Sequence, residues 1–115
     1  MDGPPDAGGR EQGPRPMEML LLGLGGCSAF DVVHILRRAR RPVTACHVEL
    51  EAERAATDPR VFTRIHMHFV VRGTEVGEKH VDRAVSLSAE KYCSAARMLA
   101  ATAEITHGWE LLSEV

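Results

Sequence analysis

Apolar and polar positions along the chain divide it into seven segments. Residues 1 to 16 are rich in Gly and Pro and show no periodic apolar face, which predicts a flexible N-terminal arm over 1–15. From Pro16 the chain becomes almost continuously apolar, and a helix is expected from Pro16 to about Arg40. Pro16 suits a first helical position, and Glu18 complements the helix dipole. Arg37, Arg38, Arg40 and Arg41 crowd the C-terminal end, and Pro42 stops the helix. Its N-terminal half is apolar all round, which predicts burial on all sides, in a core or at a dimer interface. Gly23, Gly25 and Gly26 predict a kink there, or the close approach of another backbone.

The period then changes to two. Cys46, Val48, Leu50 and Ala52 alternate with His47, Glu49, Glu51 and Glu53 over 43–54, the pattern of a half-buried strand. Thr57-Asp58-Pro59-Arg60 marks a turn. Ile65, Met67, Phe69 and Val71 form the apolar face of a second strand over 61–72, with Arg64, His66 and His68 opposite. The pair reads as an antiparallel hairpin whose solvated face carries opposite charges. Gly73 and Gly77 punctuate a loop. Val81, Ala84, Val85 and Ser88 line an amphipathic helix over 78–91, and Cys93-Ser94 begins a short helix reaching Met98-Leu99. A last strand over 104–112 places Ile105, His107 and Trp109 on one face. Partly segregated strands and helices indicate an α+β fold.

Composition narrows the function classes. A chain of 115 residues makes one small domain, for which dimerisation adds core. Net charge is −2, from 14 basic and 16 acidic residues, which argues against nucleic acid or an anionic membrane as partner. Glu18, Asp31 and His34 interrupt the most apolar stretch, and no signal-peptide pattern is present, so a cytoplasmic location is expected. The three cysteines form no CxxC motif, which points away from a disulfide scaffold or a zinc site.

The candidate chemistry centres on thiols. Cys27, Asp31, His34 and Arg38 fall at i, i+4, i+7 and i+11, on one face of the long helix. His34 lies roughly 10 Å along the axis from Cys27, too far for a simple thiol–imidazole pair. Asp31 raises the thiol pKa and Arg38 offsets it. The alternative is structural: Asp31 pairs with His34 or Arg38, and Cys27 is packing. Cys93 opens a helix, a position that lowers a thiol pKa, or serves simply as a small cap. Cys46, on the apolar strand face, reads as core, as does Trp109. His66 and His68 could bind a metal with Glu49 or Glu51, but a solvated face paired with glutamates is the stronger reading, and no metal or other cofactor is expected.

Several segments together resemble the OsmC family, in particular its OsmC/YhfA-like branch: Pro16-Met17-Glu18-Met19-Leu20-Leu21, Leu24-Gly25-Gly26-Cys27-Ser28-Ala29-Phe30-Asp31-Val32-Val33, Glu90-Lys91-Tyr92-Cys93-Ser94 and Ala103-Glu104-Ile105-Thr106-His107. The resemblance runs from about residue 12 to the C-terminus, with the OsmC-like domain placed at 16–115. It implies an intertwined homodimer in which long central helices are wrapped by antiparallel sheet. It also implies an active site at the dimer interface. In peroxidase members of the family the first cysteine attacks a hydroperoxide and becomes a sulfenic acid. The second then condenses with it, and a lipoyl or thioredoxin-like dithiol restores both thiols. Cys27 matches the first cysteine and Cys93 the second, with Glu18, Asp31 and His34 as supporting residues.

Two departures from the family pattern stand out. The strands that carry the family's activating arginine, ahead of the central helix, have no counterpart here, and neither Arg10 nor Arg15 matches that arginine. Met17 stands where peroxidase members have a glutamate directly after the proline, and Glu18 comes one position later. The expectation is an organic hydroperoxide reductase with an apolar pocket lined by Met19, Leu20 and Met98. The alternative is a non-catalytic dimeric module for ligand binding or redox sensing.

Overall fold

The computed structural model describes residues 2–10 and 12–113. Met1 and Glu11 of the expected arm, and Glu114 and Val115 of the expected domain, lie outside the described residues. Helix α1 spans Pro16–Arg38, strand β1 Val43–Arg54, strand β2 Phe62–Gly73, helix α2 Glu78–Leu87, helix α3 Ser94–Leu99 and strand β3 Glu104–Ser113. The fold is α+β, and every expected element is present.

Ahead of α1, the Asp2 carboxylate accepts the backbone N–H groups of Gly3, Arg10 and Gln12, and the Asp2 N–H donates to the Pro14 carbonyl. Helix α1 then begins at Pro16, with the Glu18 carboxylate reaching back to the Arg15 N–H at 2.9 Å. That contact satisfies a backbone donor at the helix start. The helix is continuous through its three glycines. Only at Gly25 does something approach: a Cβ there would meet Leu50 Cδ1 at 2.9 Å, so the glycine admits a β1 side chain rather than another backbone.

Strands β1 and β2 form the expected hairpin. Its outer face sets Glu49 opposite His68, Glu51 opposite His66 and Glu53 opposite Arg64. The sheet order is β1-β2-β3, and here the structure corrects the expectation of a wholly antiparallel sheet: β3 pairs with β2 in parallel, Ile65 beside Ile105 and Phe69 beside Trp109. Parallel neighbours need a long crossover, and the α2–α3 segment supplies it. Trp109 ties that crossover down by donating Nε1–H to Asp82 of α2 at 3.0 Å.

The core lies between the inner sheet face and the helices. Ile65, Met67, Phe69 and Val71 meet Leu24, Val32 and Leu36 of α1 and Val81, Ala84 and Val85 of α2. Within the protomer, helix α1 buries one side. It buries one stripe at four-residue spacing, Leu24, Ser28, Val32 and Leu36, together with Gly25. Met19, Leu20, Leu22 and Phe30 remain exposed, Phe30 at 73%. By length and composition α1 could cross a membrane, but its buried stripe is packed on the sheet and α2.

Candidate functional site: a thiol pair between two helices

Two interruptions of helical geometry bring Cys93 to α1. After Leu87 the chain widens into a π-type turn over Ser88–Tyr92, closed by Cys93 N–H donating to the Ser88 carbonyl at 2.9 Å. Cys93 then turns extended and caps α3, its sulfur accepting the Ala96 N–H at 3.4 Å. Such π-type turns are frequent at functional sites. Here the turn directs a fully buried thiol at the Cys27 level of α1.

The reactive atoms of Cys27, Asp31 and Cys93 all lie within 4.8 Å of one another. Both thiols are free. Cys27 is half-buried and Cys93 has no exposed surface.

Their environments push the two thiols apart. Burial raises the Cys27 pKa, yet hydrogen bonds from the Ala95 N–H, the Cys93 thiol and the Ser94 hydroxyl outweigh it. The net effect holds Cys27 below the ordinary cysteine value, with the Asp31 charge opposing. The Ser94 hydroxyl lies 3.9 Å from the Cys27 sulfur. Burial raises the Cys93 thiol, and the neighbouring Cys27 adds to this. Donation from Ser28 and Ala96 only partly offsets them. Cys46 is packed against the core, and burial pushes it up to about 11.

Three serines complete the arrangement. Ser28, fully buried, donates to the Cys93 sulfur at 3.1 Å and lies 3.8 Å from Met67 Sδ. Ser88, also fully buried, reaches the Ser28 carbonyl and Asp31 Oδ2, each at 3.3 Å. Asp31 is thus held by Ser88, not by the His34 or Arg38 pairing weighed from spacing. Ser28 and Ser94 each adjoin a candidate cysteine, which is the one signal of their role in the sequence, whereas Ser88 shows there only as part of an amphipathic stripe.

The remaining candidates sit elsewhere. His34 is exposed and stacks on Phe30, ring centroids 6.2 Å apart. Glu18 caps the start of α1, roughly 13 Å along the axis from Cys27. Met19, Leu20 and Met98 are exposed in the protomer. A cleft adjoining the thiol cluster through Asp31 is formed by Asp31, His34, Ile35, Arg38 and Ala39 of α1, Arg83 and Leu87 of α2, and Tyr92. His66 bonds the Thr106 hydroxyl at 2.7 Å and His68 bonds Glu110 at 3.2 Å, so each imidazole has a partner on β3.

Comparison with known proteins places this geometry. Residues 8–108 match the family described as OsmC-like protein. Protein YhfA of Escherichia coli strain K12 is 48% identical over 108 residues, covering 94% of this chain and 81% of YhfA. A crystal structure of a hypothetical protein from Aquifex aeolicus VF5 superposes with a TM-score of 0.85 at 37% identity, covering 91% of this chain and 79% of that one. The organic hydroperoxide resistance protein OsmC of Legionella pneumophila shares the fold, with a TM-score of 0.73 at 14% identity over 96% of this chain and 79% of its own.

Proposed function

The chain belongs to the OsmC-like protein family, and on that premise we propose that it is a cytoplasmic, thiol-dependent hydroperoxide reductase in which Cys27 and Cys93 form one redox pair. The observation that carries this reading is the meeting of two free thiols, 66 positions apart in sequence, with their acidities pushed in opposite directions. The Legionella protein's description as a hydroperoxide resistance protein is in keeping with it.

The chemistry follows from the asymmetry. The thiolate is the attacking species, and Cys27 is the thiol that is both accessible and acidified. Its sulfur attacks the distal oxygen of a hydroperoxide. The O–O bond breaks, the alkoxide leaves with a proton as alcohol, and Cys27 becomes a sulfenic acid. Cys93 loses its proton and attacks the sulfenic sulfur, releasing water and forming a disulfide. A dithiol such as a lipoyl group then reduces that disulfide by two successive exchanges and is itself oxidised to a cyclic disulfide. The donors at the start of α3, Ala95 N–H and Ser94 hydroxyl, stabilise the Cys27 thiolate. Asp31, anchored by Ser88, restrains that acidification.

The reading includes a homodimer. The exposed Met19, Leu20, Leu22 and Phe30 form an apolar face on α1 of the kind that marks a protein interface. The radius of gyration, 15.8 Å, exceeds the roughly 13 Å of a compact domain this size, in keeping with a protomer shaped to wrap a partner.

The test is peroxide consumption with cumene hydroperoxide and a dithiol, paired with intact mass after one oxidising equivalent. Turnover with loss of two protons is expected. Cys27→Ser abolishes it, and Cys93→Ser leaves one added oxygen on Cys27. Undiminished turnover in Cys27→Ser, or unmodified thiols after peroxide, favours the non-catalytic binding module.

A further inference from the structure

The proposed redox cycle leaves the cleft next to Asp31 unexplained. The cleft has a volume of about 680 Å³. At its thiol end stands Asp31, whose carboxylate lies within 4.8 Å of both sulfurs and accepts the Ser88 hydroxyl. Its far end holds Arg38 from the last turn of α1, while Arg83 reaches it from α2. Asp31 and Arg38 are seven residues apart on one helix, roughly 10 Å along the axis. Ile35, Ala39, Leu87, Tyr92 and His34 line the rest of the cleft.

The lining charges do not cancel. Two guanidiniums face a single carboxylate that a buried serine already holds, so the cleft is net positive. Two planar guanidiniums arriving from different helices match a carboxylate in geometry as well as charge. The cleft combines apolar walls at Ile35, Ala39 and Leu87 with convergent polar groups that can fix a ligand's orientation, as small-molecule sites do. Arg38 is also well placed to complete the end of α1, but that role does not bring Arg83 to the same cleft.

We propose that this cleft binds an amphipathic carboxylate, with its head at Arg38 and Arg83 and its chain along Ile35, Leu87 and Tyr92 toward Cys27. The ligand's part in the thiol cycle rests on the redox reading above; the binding site does not. The same carboxylate chemistry could belong to the hydroperoxide or to the dithiol, and the site acts on whichever bears it.

The test is calorimetric titration of the reduced full-length protein with octanoate and with octanamide. Octanoate binding at least tenfold tighter than octanamide is expected, with that preference lost in the Arg38→Gln/Arg83→Gln double variant and partly kept in the double Lys variant. Equal binding of acid and amide, no binding of either, or an undiminished preference in the Gln variant overturns the proposal; a cleft filled by the second copy of a dimer gives the second of these. Two kinetic arms identify the source: KM for a carboxylate-bearing hydroperoxide against its methyl ester, and KM for dihydrolipoate against dihydrolipoamide. A tenfold or greater rise on neutralising the head, absent in the Gln variant, is expected in one arm. No rise in either arm overturns the assignment to a reactant. A protein that binds octanoate through its arginines but consumes no hydroperoxide retains the site and refutes the redox reading alone.

Discussion

The Ser28 hydroxyl donates to the Cys93 sulfur at 3.1 Å, and neither residue has any exposed surface. The bond joins the residue next to Cys27 in sequence to the second thiol, so one turn of α1 contacts both sulfurs. A donor on sulfur stabilises the thiolate more than the thiol. Ser28→Ala therefore raises the already high Cys93 pKa further and slows attack on oxidised Cys27. Trapping with a dimedone probe should show a longer-lived Cys27 sulfenic acid in the variant. Loss of one hydrogen bond to a weak sulfur acceptor changes stability by only about 1 kcal/mol in denaturant melts.

The order of thiol reactivity is fixed by the same surroundings. Alkylation with iodoacetamide followed against pH should give Cys27 a midpoint below the ordinary cysteine value and Cys93 one above it. Cys46 should resist modification at pH 8 in the native protein, because burial holds its thiol near 11. Asp31 disfavours the Cys27 thiolate by charge, so Asp31→Asn shifts the Cys27 midpoint further down and increases the thiolate fraction at neutral pH. A midpoint that moves up would refute this account.

Two glycines separate cheap from costly enlargement. A Cβ at Gly25 meets only the flexible end of Leu50, and alanine gains helix propensity of roughly 1 kcal/mol, so Gly25→Ala is close to neutral. A Cβ at Gly73 meets the Pro42 carbonyl oxygen at 2.6 Å and Val76 Cγ2 at 2.5 Å. Backbone cannot yield as a side chain does, and Gly73→Ala costs about 1–3 kcal/mol. Urea melts of the two variants provide the comparison.

The exposed face of α1 predicts the assembly state. Leu22→Glu and Phe30→Asp alter side chains that the protomer leaves exposed, 56% and 73% respectively, so the protomer fold tolerates them. Light scattering should give a dimer for the parent chain and a monomer for the double variant. A parent chain that is a stable monomer would remove the dimer from the proposal.

Much of this architecture was legible in the linear pattern because helix and strand periods are local. The period of two over Val43–Arg54 and Phe62–Gly73 marks the inner faces that pack on the helices, and the Gly25-Gly26-Cys27 and Tyr92-Cys93-Ser94 stretches point to the thiols. One further signal is present in the chain. A helical crossover of some thirty residues between two strands fits parallel pairing, since a short hairpin turn cannot make it.

By itself, then, the sequence determined which segments are helix or strand, which strand face turns inward, and that two cysteines are the reactive candidates. Tertiary structure alone decided that β3 lies beside β2, which stripe of α1 the protomer buries, and that Ser28, Ser88 and Ser94 join Asp31 around the sulfurs. The division has a physical cause. Periodicity records how a residue is exposed within its own element, whereas thiol acidity depends on donors and charges a few ångströms away in space. Those donors come here from α1, the π-type turn and α3, and only the packing of one against another sets their distances.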